Sequence, residues 1–318
     1  VAIRSITGTV ENLPLAAEKN TAGMAVLAMC RELGLPYGFD LEIEKGIPLG
    51  SGLGGSAASA VAGIVAAAAL VEEPLERTEL LKFAMQGEAV ASGSVHVDNI
   101  APSLYGGLVL TVGIDNPFVK QIPVPDTIRC VLVHPHMVLP TREARAILSK
   151  SVPLSDVIWQ QANLAGFLAG CFTSDLALIR ESLLDVVIEP QRQVLIPGFA
   201  AVKQAALAAG ALGASISGAG PTVFAWVDAA DAGKVRLGMV EAFARHGLEL
   251  LAHHAALGVD LVDRHQRHVL QRGLADRHRA GQRMKDADLD RVVVHHEKAA
   301  VVDDGVGSVR RHDDDDEG

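Results

Sequence analysis

Cysteine is scarce in this chain, and what little there is does not cluster. Cys30, Cys130 and Cys171 lie far apart, with no C-x-x-C spacing. They read as reduced, buried thiols of an intracellular protein rather than as a disulfide framework. Positive charge is also in short supply: 28 Lys and Arg stand against 38 Asp and Glu, a net charge of −10. No basic field is available to neutralise nucleic-acid phosphates, so a nucleic-acid partner is not expected. Much of the acidity sits at the far end, in Asp313 to Asp316 and Glu317, and says little about any active region. Long apolar runs are missing as well. The longest, Ala57 to Val71, falls short of the roughly 20 residues that span a bilayer. A basic start followed by an apolar core and a cleavage site is absent too. These absences together predict a cytoplasmic protein with no membrane partner.

What is present is a globular composition, 49 % apolar over 318 residues, enough for one large core or two moderate ones. The chain opens at Val1 inside a strand-like alternation. Asn20 and Thr21 precede a helical run from Ala22 to Leu33, which makes Asn20 a plausible N-cap. Leu41 to Lys45 alternates apolar and charged residues, as a half-exposed antiparallel strand would. A glycine-rich loop follows, then the helix from Ala57 and another from Glu76 to about Ala91. Glu88 sits near the end of that helix, where a carboxylate opposes the dipole. Residues 92–107 are dense in polar groups and turn formers, and the stretch from Pro117 to Pro125 reads as a proline-punctuated connector. Strand and helix patterns continue to about Leu250, with a second glycine-rich turn from Ser215 to Thr222. Beyond Leu250 the composition shifts: nine of twelve histidines lie from His246 onward, and no aromatic residue follows Phe243. The expected division is residues 1–116, residues 117–250, and a tail 251–318 that is disordered or translated out of frame.

The first loop, Pro48-Leu-Gly-Ser-Gly-Leu-Gly-Gly-Ser-Ala-Ala-Ser59, sets the functional question. Glycines let a backbone approach a ligand closely, and a helix N-terminus just behind them suits phosphate. Gly50-x-Gly52-x-x-Gly55 fits the dinucleotide pattern, with Glu72 or Glu73 about 20 residues on. The alternating strand before it and Pro48 speak against that reading. A Walker A loop needs Gly-Lys-Ser or Gly-Lys-Thr, and no lysine follows here.

Taken with the other segments, this loop resembles the P-x-x-x-G-L-G-S-S-A-A phosphate loop of the galactokinase, homoserine kinase, mevalonate kinase and phosphomevalonate kinase (GHMP) superfamily. Gly55 stands where a serine is usual, and Ser215-Ile-Ser-Gly-Ala-Gly-Pro-Thr222 is similar to the superfamily's second glycine motif. Gly93 to Ser103 with Gly106-Gly107, Thr141 to Leu148, and Glu189-Pro-Gln-Arg192 with Leu195 to Phe199 resemble the homoserine kinase family in particular.

The resemblance implies an α+β, two-domain GHMP kinase fold: a sheet-and-helix domain carrying the phosphate loop, then a ferredoxin-like domain. It implies transfer of a phosphoryl group from ATP to L-homoserine, with Mg²⁺. Pro48, Leu49, Gly50, Ser51, Gly52, Leu53, Gly54, Gly55, Ser56, Ala57 and Ala58 would wrap the triphosphate, and Asn20 would lie near the adenine. Ser56 and Glu88 would hold the metal ion, which suits a hard cation that prefers oxygen. Arg145 and Arg192 would fork the substrate carboxylate, while His96, Asn99, Thr141 and Gly218 would line the substrate pocket. Ser56, Glu88, Arg145 and Arg192 are thus the candidate catalytic set. A homodimer is the assembly the family suggests. The family's opening P-A-S-x-A-N segment has no counterpart here, so the chain as it stands is expected to be weak or inactive as a kinase. The alternatives are another GHMP small-molecule kinase and a non-catalytic nucleotide-binding remnant.

Overall fold

The computed structural model describes residues 1–10, 12–92, 97–113, 115–256 and 291–295. Its first unit begins with β1 (Ala2–Gly8), α1 (Thr21–Glu32) and β2 (Asp40–Lys45), followed by α2 (Gly55–Ala68), α3 (Arg77–Ser92) and α4 (Val97–Tyr105). A hairpin of β3 (Leu108–Val112) and β4 (Phe118–Ile122) comes next. The second unit holds β5 (Ile128–Pro135), α5 (Thr141–Ala146), α6 (Leu154–Thr173), α7 (Leu176–Ser182), α8 (Glu189–Arg192), α9 (Phe199–Ala208), β6 (Gly213–Ile216), β7 (Val223–Asp228), α10 (Ala232–Ala244) and β8 (Leu250–Ala256). A last strand, β9 (Arg291–His295), returns to the first unit.

β2 lies between β1 and β9 and runs parallel to both, which corrects the antiparallel expectation. Alternation of buried Leu41, Ile43 and Lys45 with Glu42 and Glu44 records one buried face, and that says nothing about strand direction. One core joins β1 and β2 to α1, α2 and α3 through Ile3, Leu41, Ile43, Met29, Ile64 and Phe83. The small residues Ala57, Ala60 and Ala67 are wholly buried and let α2 pack against its neighbours at close range.

The second sheet is antiparallel in the order β6-β7-β5-β8. With helices between β5 and β6 and between β7 and β8, this is the β-α-β-β-α-β ferredoxin-like arrangement that the sequence led us to expect. Val131, Val133, Phe199, Val202, Val235 and Phe243 form its core.

Three local readings change. The stretch expected to be a connector is strand β4, whose Phe118 to Ile122 pair with β3. The polar segment after residue 92 contains helix α4 despite Pro102 inside it, because Ile100, Ala101 and Leu104 form a buried face. Two stretches of the expected tail are strands: Leu250–Ala256 pairs with β5, and Arg291–His295 with β2. Both supply a partner to backbone groups that an edge strand would leave unmet. Residues 257–290 and 296–318 lie outside the described residues. No helix among the described residues is long and apolar enough to cross a membrane. The three cysteines are free; Cys171 is buried, whereas Cys30 and Cys130 are half-buried rather than buried as expected.

Candidate active site

Gly50, Gly52 and Gly54 all have left-handed backbone, with φ of 61°, 77° and 68°. This alternation coils the loop between Pro48 and the start of α2, and Gly54 is the residue that caps the helix. Gly52 has no room for a side chain, since a Cβ there would run into the Ser217 carbonyl oxygen and come within 2.8 Å of the Gly220 carbonyl oxygen. The two glycine-rich loops, 165 residues apart in sequence, therefore pack backbone to backbone. The Ser217 hydroxyl donates to the Gly52 carbonyl at 2.9 Å, and the Thr222 hydroxyl donates to that of Ser51 at 2.6 Å. The Leu139 N–H, just ahead of α5, donates to the Gly50 carbonyl at 3.3 Å.

At the first turn of α2, the Ser56 hydroxyl donates to Glu88 Oε1 at 2.9 Å. Glu88 is only 2 % exposed. Burial pushes its pKa up and the Ser56 hydrogen bond pulls it down; Asp98 raises it further and Lys45 lowers it. Other predicted residues lie on α4, α5 and α8. Asn99, on α4, lies against Gly54, its Oδ1 at 3.5 Å from where a Cβ would stand. Thr141 and Arg145 are exposed residues of α5. Arg192 is tied to α5 and to the second loop together, donating from Nε to the Ala144 carbonyl at 3.0 Å and from Nη1 to that of Gly218 at 2.9 Å. Burial and the neighbouring Arg145 push its pKa down, while Asp185 acts the other way.

Asn20 has the structural role its position foretold. Its side-chain oxygen accepts from the Ala22 and Gly23 N–H groups, and its amide donates to the Pro14 carbonyl at 3.1 Å. His96 lies outside the described residues.

Sequence reading missed Lys45. Its ammonium, at the buried end of β2, donates to the Gly55 carbonyl at 2.7 Å and to the Ser59 hydroxyl. The signal was there, because residues 41, 43 and 45 share one face of a strand. Burial lowers its pKa from 10.5 to about 8, with Glu88 acting in the opposite direction. The unfolded chain thus holds more protons than the folded one between these two values, and folding gains stability as pH rises through that window. We expect the melting temperature of the unaltered chain, relative to a Lys45→Met variant, to climb from about pH 8 to about pH 10.5. A difference that stays flat over that range would refute the buried ammonium.

A second missed cluster supports Arg192. The Glu189 carboxylate, 8 % exposed, accepts from Lys203 Nζ at 2.5 Å and from the Ser215 hydroxyl at 2.6 Å. Asp185 in turn accepts from the Val187, Ile188 and Glu189 N–H groups. The four-residue helix that carries Arg192 is thereby fixed to α9 and to the strand leading into the second glycine loop.

A helix-backed parallel sheet beside a ferredoxin-like unit, with one glycine loop from each meeting at Gly52 and Gly218, defines a GHMP kinase. Residues 20–107 match the family of GHMP kinases N terminal domains, and residues 165–253 match GHMP kinases C terminal. Homoserine kinase of Xylella fastidiosa is 55 % identical over 228 residues, covering 71 % of this chain and 69 % of that protein. Homoserine kinase of Chlorobium phaeovibrioides is 46 % identical over 237 residues, covering 73 % and 74 %. The crystal structure of homoserine kinase from Cytophaga hutchinsonii superposes with a TM-score of 0.76 at 43 % identity, over 80 % of this chain and 81 % of that one. The chain belongs to the homoserine kinase family. L. major mevalonate kinase, solved with R-mevalonate, has a TM-score of 0.59 at 16 % identity over 80 % and 83 % of the two chains, and shares the fold alone.

Proposed function

We propose that this chain transfers the terminal phosphoryl group of ATP to the side-chain hydroxyl of L-homoserine. The observation that supports the reading is the packing of the two glycine loops, which carry three chemistries between them. A helix N-terminus stands behind a glycine loop, an oxygen pair is formed by Ser56 and Glu88, and Arg192 is bolted to the facing loop through Gly218. The relatives that share this chain's sequence at 44–55 % identity are homoserine kinases.

In this reading the loop from Pro48 to Ala58 surrounds the triphosphate, with backbone N–H groups and the start of α2 facing negative charge. Asn20, as cap of α1, marks the adenine end. The donors fit Mg²⁺, because Ser56 and Glu88 both offer oxygen, the ligand a hard cation prefers. That matches an ion held by one carboxylate together with phosphate oxygens and water. Once bound, it would neutralise charge developing on the phosphates. Arg145 and Arg192 receive the homoserine carboxylate, and Asn99 and Thr141 flank the hydroxyl-bearing arm, with His96 expected beside them. Phosphoryl transfer through a loose transition state asks mainly for alignment and charge stabilisation. The hydroxyl proton can leave late, to a phosphate oxygen, without a dedicated carboxylate base.

The direct test is ADP release with homoserine, with mevalonate and with neither. Homoserine-dependent release supports the assignment; equal or greater release with mevalonate would replace it with another GHMP substrate. A second check concerns Arg192, whose planar fork a lysine cannot reproduce. Arg192→Lys is expected to raise the KM for homoserine about tenfold, with the KM for ATP changed far less. Equal changes in both would place Arg192 outside the substrate subsite.

A further inference from the structure

His134 is the penultimate residue of β5 and is 6 % exposed. Its Nδ1 lies 3.0 Å from the Thr222 hydroxyl oxygen. That hydroxyl also lies 2.6 Å from the Ser51 carbonyl oxygen, which further accepts from the Thr222 backbone N–H at 3.3 Å. A carbonyl oxygen only accepts, so the single hydroxyl proton of Thr222 must point at Ser51. The hydroxyl oxygen can then face the imidazole only as an acceptor, and the proton of the ring must sit on Nδ1. Burial, helped by His136, pushes the His134 pKa down, so the ring that makes this bond at neutral pH is the uncharged Nδ1–H tautomer.

The contact matters because of what Thr222 holds. Three consecutive carbonyls of the phosphate loop are gripped from the second unit: Gly50 by Leu139, Ser51 by Thr222 and Gly52 by Ser217. In a trans peptide the N–H points opposite to the carbonyl. Turning these carbonyls toward the second unit therefore turns the N–H groups of Ser51, Gly52 and Leu53 the other way; that of Leu53 also reaches Ser51 Oγ at 3.4 Å. Of the three grips, only the one on Ser51 depends on a hydroxyl that is itself oriented by a buried ring.

We propose that His134 is a positioning residue for the nucleotide: by donating from Nδ1 to Thr222, it fixes the Thr222 hydroxyl on the Ser51 carbonyl and so aims the loop's N–H groups at the phosphates. The proposal rests on the reading that this loop holds ATP. It separates two isosteres, because an asparagine amide nitrogen can stand where Nδ1 does, whereas a glutamine amide reaches toward Nε2.

The test measures the dissociation constant for ADP by calorimetry on the full chain, together with both KM values and the melting temperature. His134→Leu is expected to weaken ADP about tenfold with the KM for homoserine little changed. His134→Asn restores the affinity, and His134→Gln does not. A residue that mattered only for packing would lower the melting temperature without distinguishing Asn from Gln. Should His134→Leu not fold, Thr222→Ser and Thr222→Val take its place: the serine keeps ADP affinity and the valine loses it. Unchanged ADP affinity in His134→Leu or Thr222→Val, or equal losses in His134→Asn and His134→Leu, would overturn the proposal alone. Absence of ADP affinity in the unaltered chain would overturn the ATP reading of the loop and this proposal with it.

Discussion

With glutamine in place of Glu88, phosphoryl transfer is expected to fall about a thousandfold while the protein melts close to where the unaltered chain does. The two outcomes part company for a physical reason. Glu88 is buried, and burial resists its ionisation, so the charge is not there for the fold's benefit. An isosteric neutral amide removes the desolvation cost of the carboxylate and can still accept from the Ser56 hydroxyl. What it cannot do is offer a full negative charge to a cation beside the phosphates. The measurement pairs kcat at saturating ATP and homoserine with a thermal melt. Raising the magnesium concentration should recover part of the loss. A variant that retains its rate, or one whose melting temperature collapses with its activity, would move Glu88 out of the metal site and into the core.

The second large effect concerns Gly52. Replacing it with alanine is expected to weaken ADP about a hundredfold, as an ångström-scale displacement of a positioning loop does. The left-handed φ of 77° already costs any L-residue about 1–2 kcal/mol. The larger cost is steric, because the added methyl would meet the Ser217 and Gly220 backbone, which cannot rotate out of its way as a side chain could. Either loop must then move, and the Ser217 hydroxyl loses its grip on the Gly52 carbonyl. Gly55 is the control. Its Cβ would come nearest the side chain of Ile47, at 3.1 Å, with the Ile47 carbonyl oxygen at an ordinary 3.6 Å, and its φ is not left-handed. Gly55→Ser, which restores the residue usual in the superfamily, should leave ADP affinity within about threefold, helped by better helix propensity at the start of α2. If the alanine at residue 52 were as mild as the serine at residue 55, the two loops would not be packed as described.

How much of this was legible from residues alone differs between the fold and the site. The helix Thr21–Glu32 follows from apolar spacing and from Asn20, which starts it. Strand direction in the first sheet was not legible, because Leu41 and Ile43 report a buried face and nothing more. α4 was hidden behind Asp98, Asn99 and Pro102, residues whose local preference is for turns and which the buried Ile100 and Leu104 overrule. At the site, the residues carried by motifs could be named from the sequence, and those carried by long-range contacts could not. Glu189 was quoted as part of a motif, yet its bonds to Lys203 and Ser215 depend on helices and strands whose packing no short pattern encodes. His134 offers no local signal at all; only the meeting of β5 with the second glycine loop gives it a partner.

The grip on the phosphate loop has a consequence for how the molecule comes into being. Gly52 and Ser51 are held by Ser217 and Thr222, residues 165 and 171 positions later in the chain. Contacts so distant in sequence form late, after the segments between them have collapsed. During synthesis, the glycines of the first loop leave the ribosome long before the groups that shape them exist. A nascent chain ending short of residue 222 can fold α1, α2 and α3 into their core, but its loop has no template to hold it. If this loop holds ATP as proposed, nucleotide affinity is acquired in one late step, when the second unit closes on the first, and ATP rewards the finished molecule instead of guiding the unfinished one.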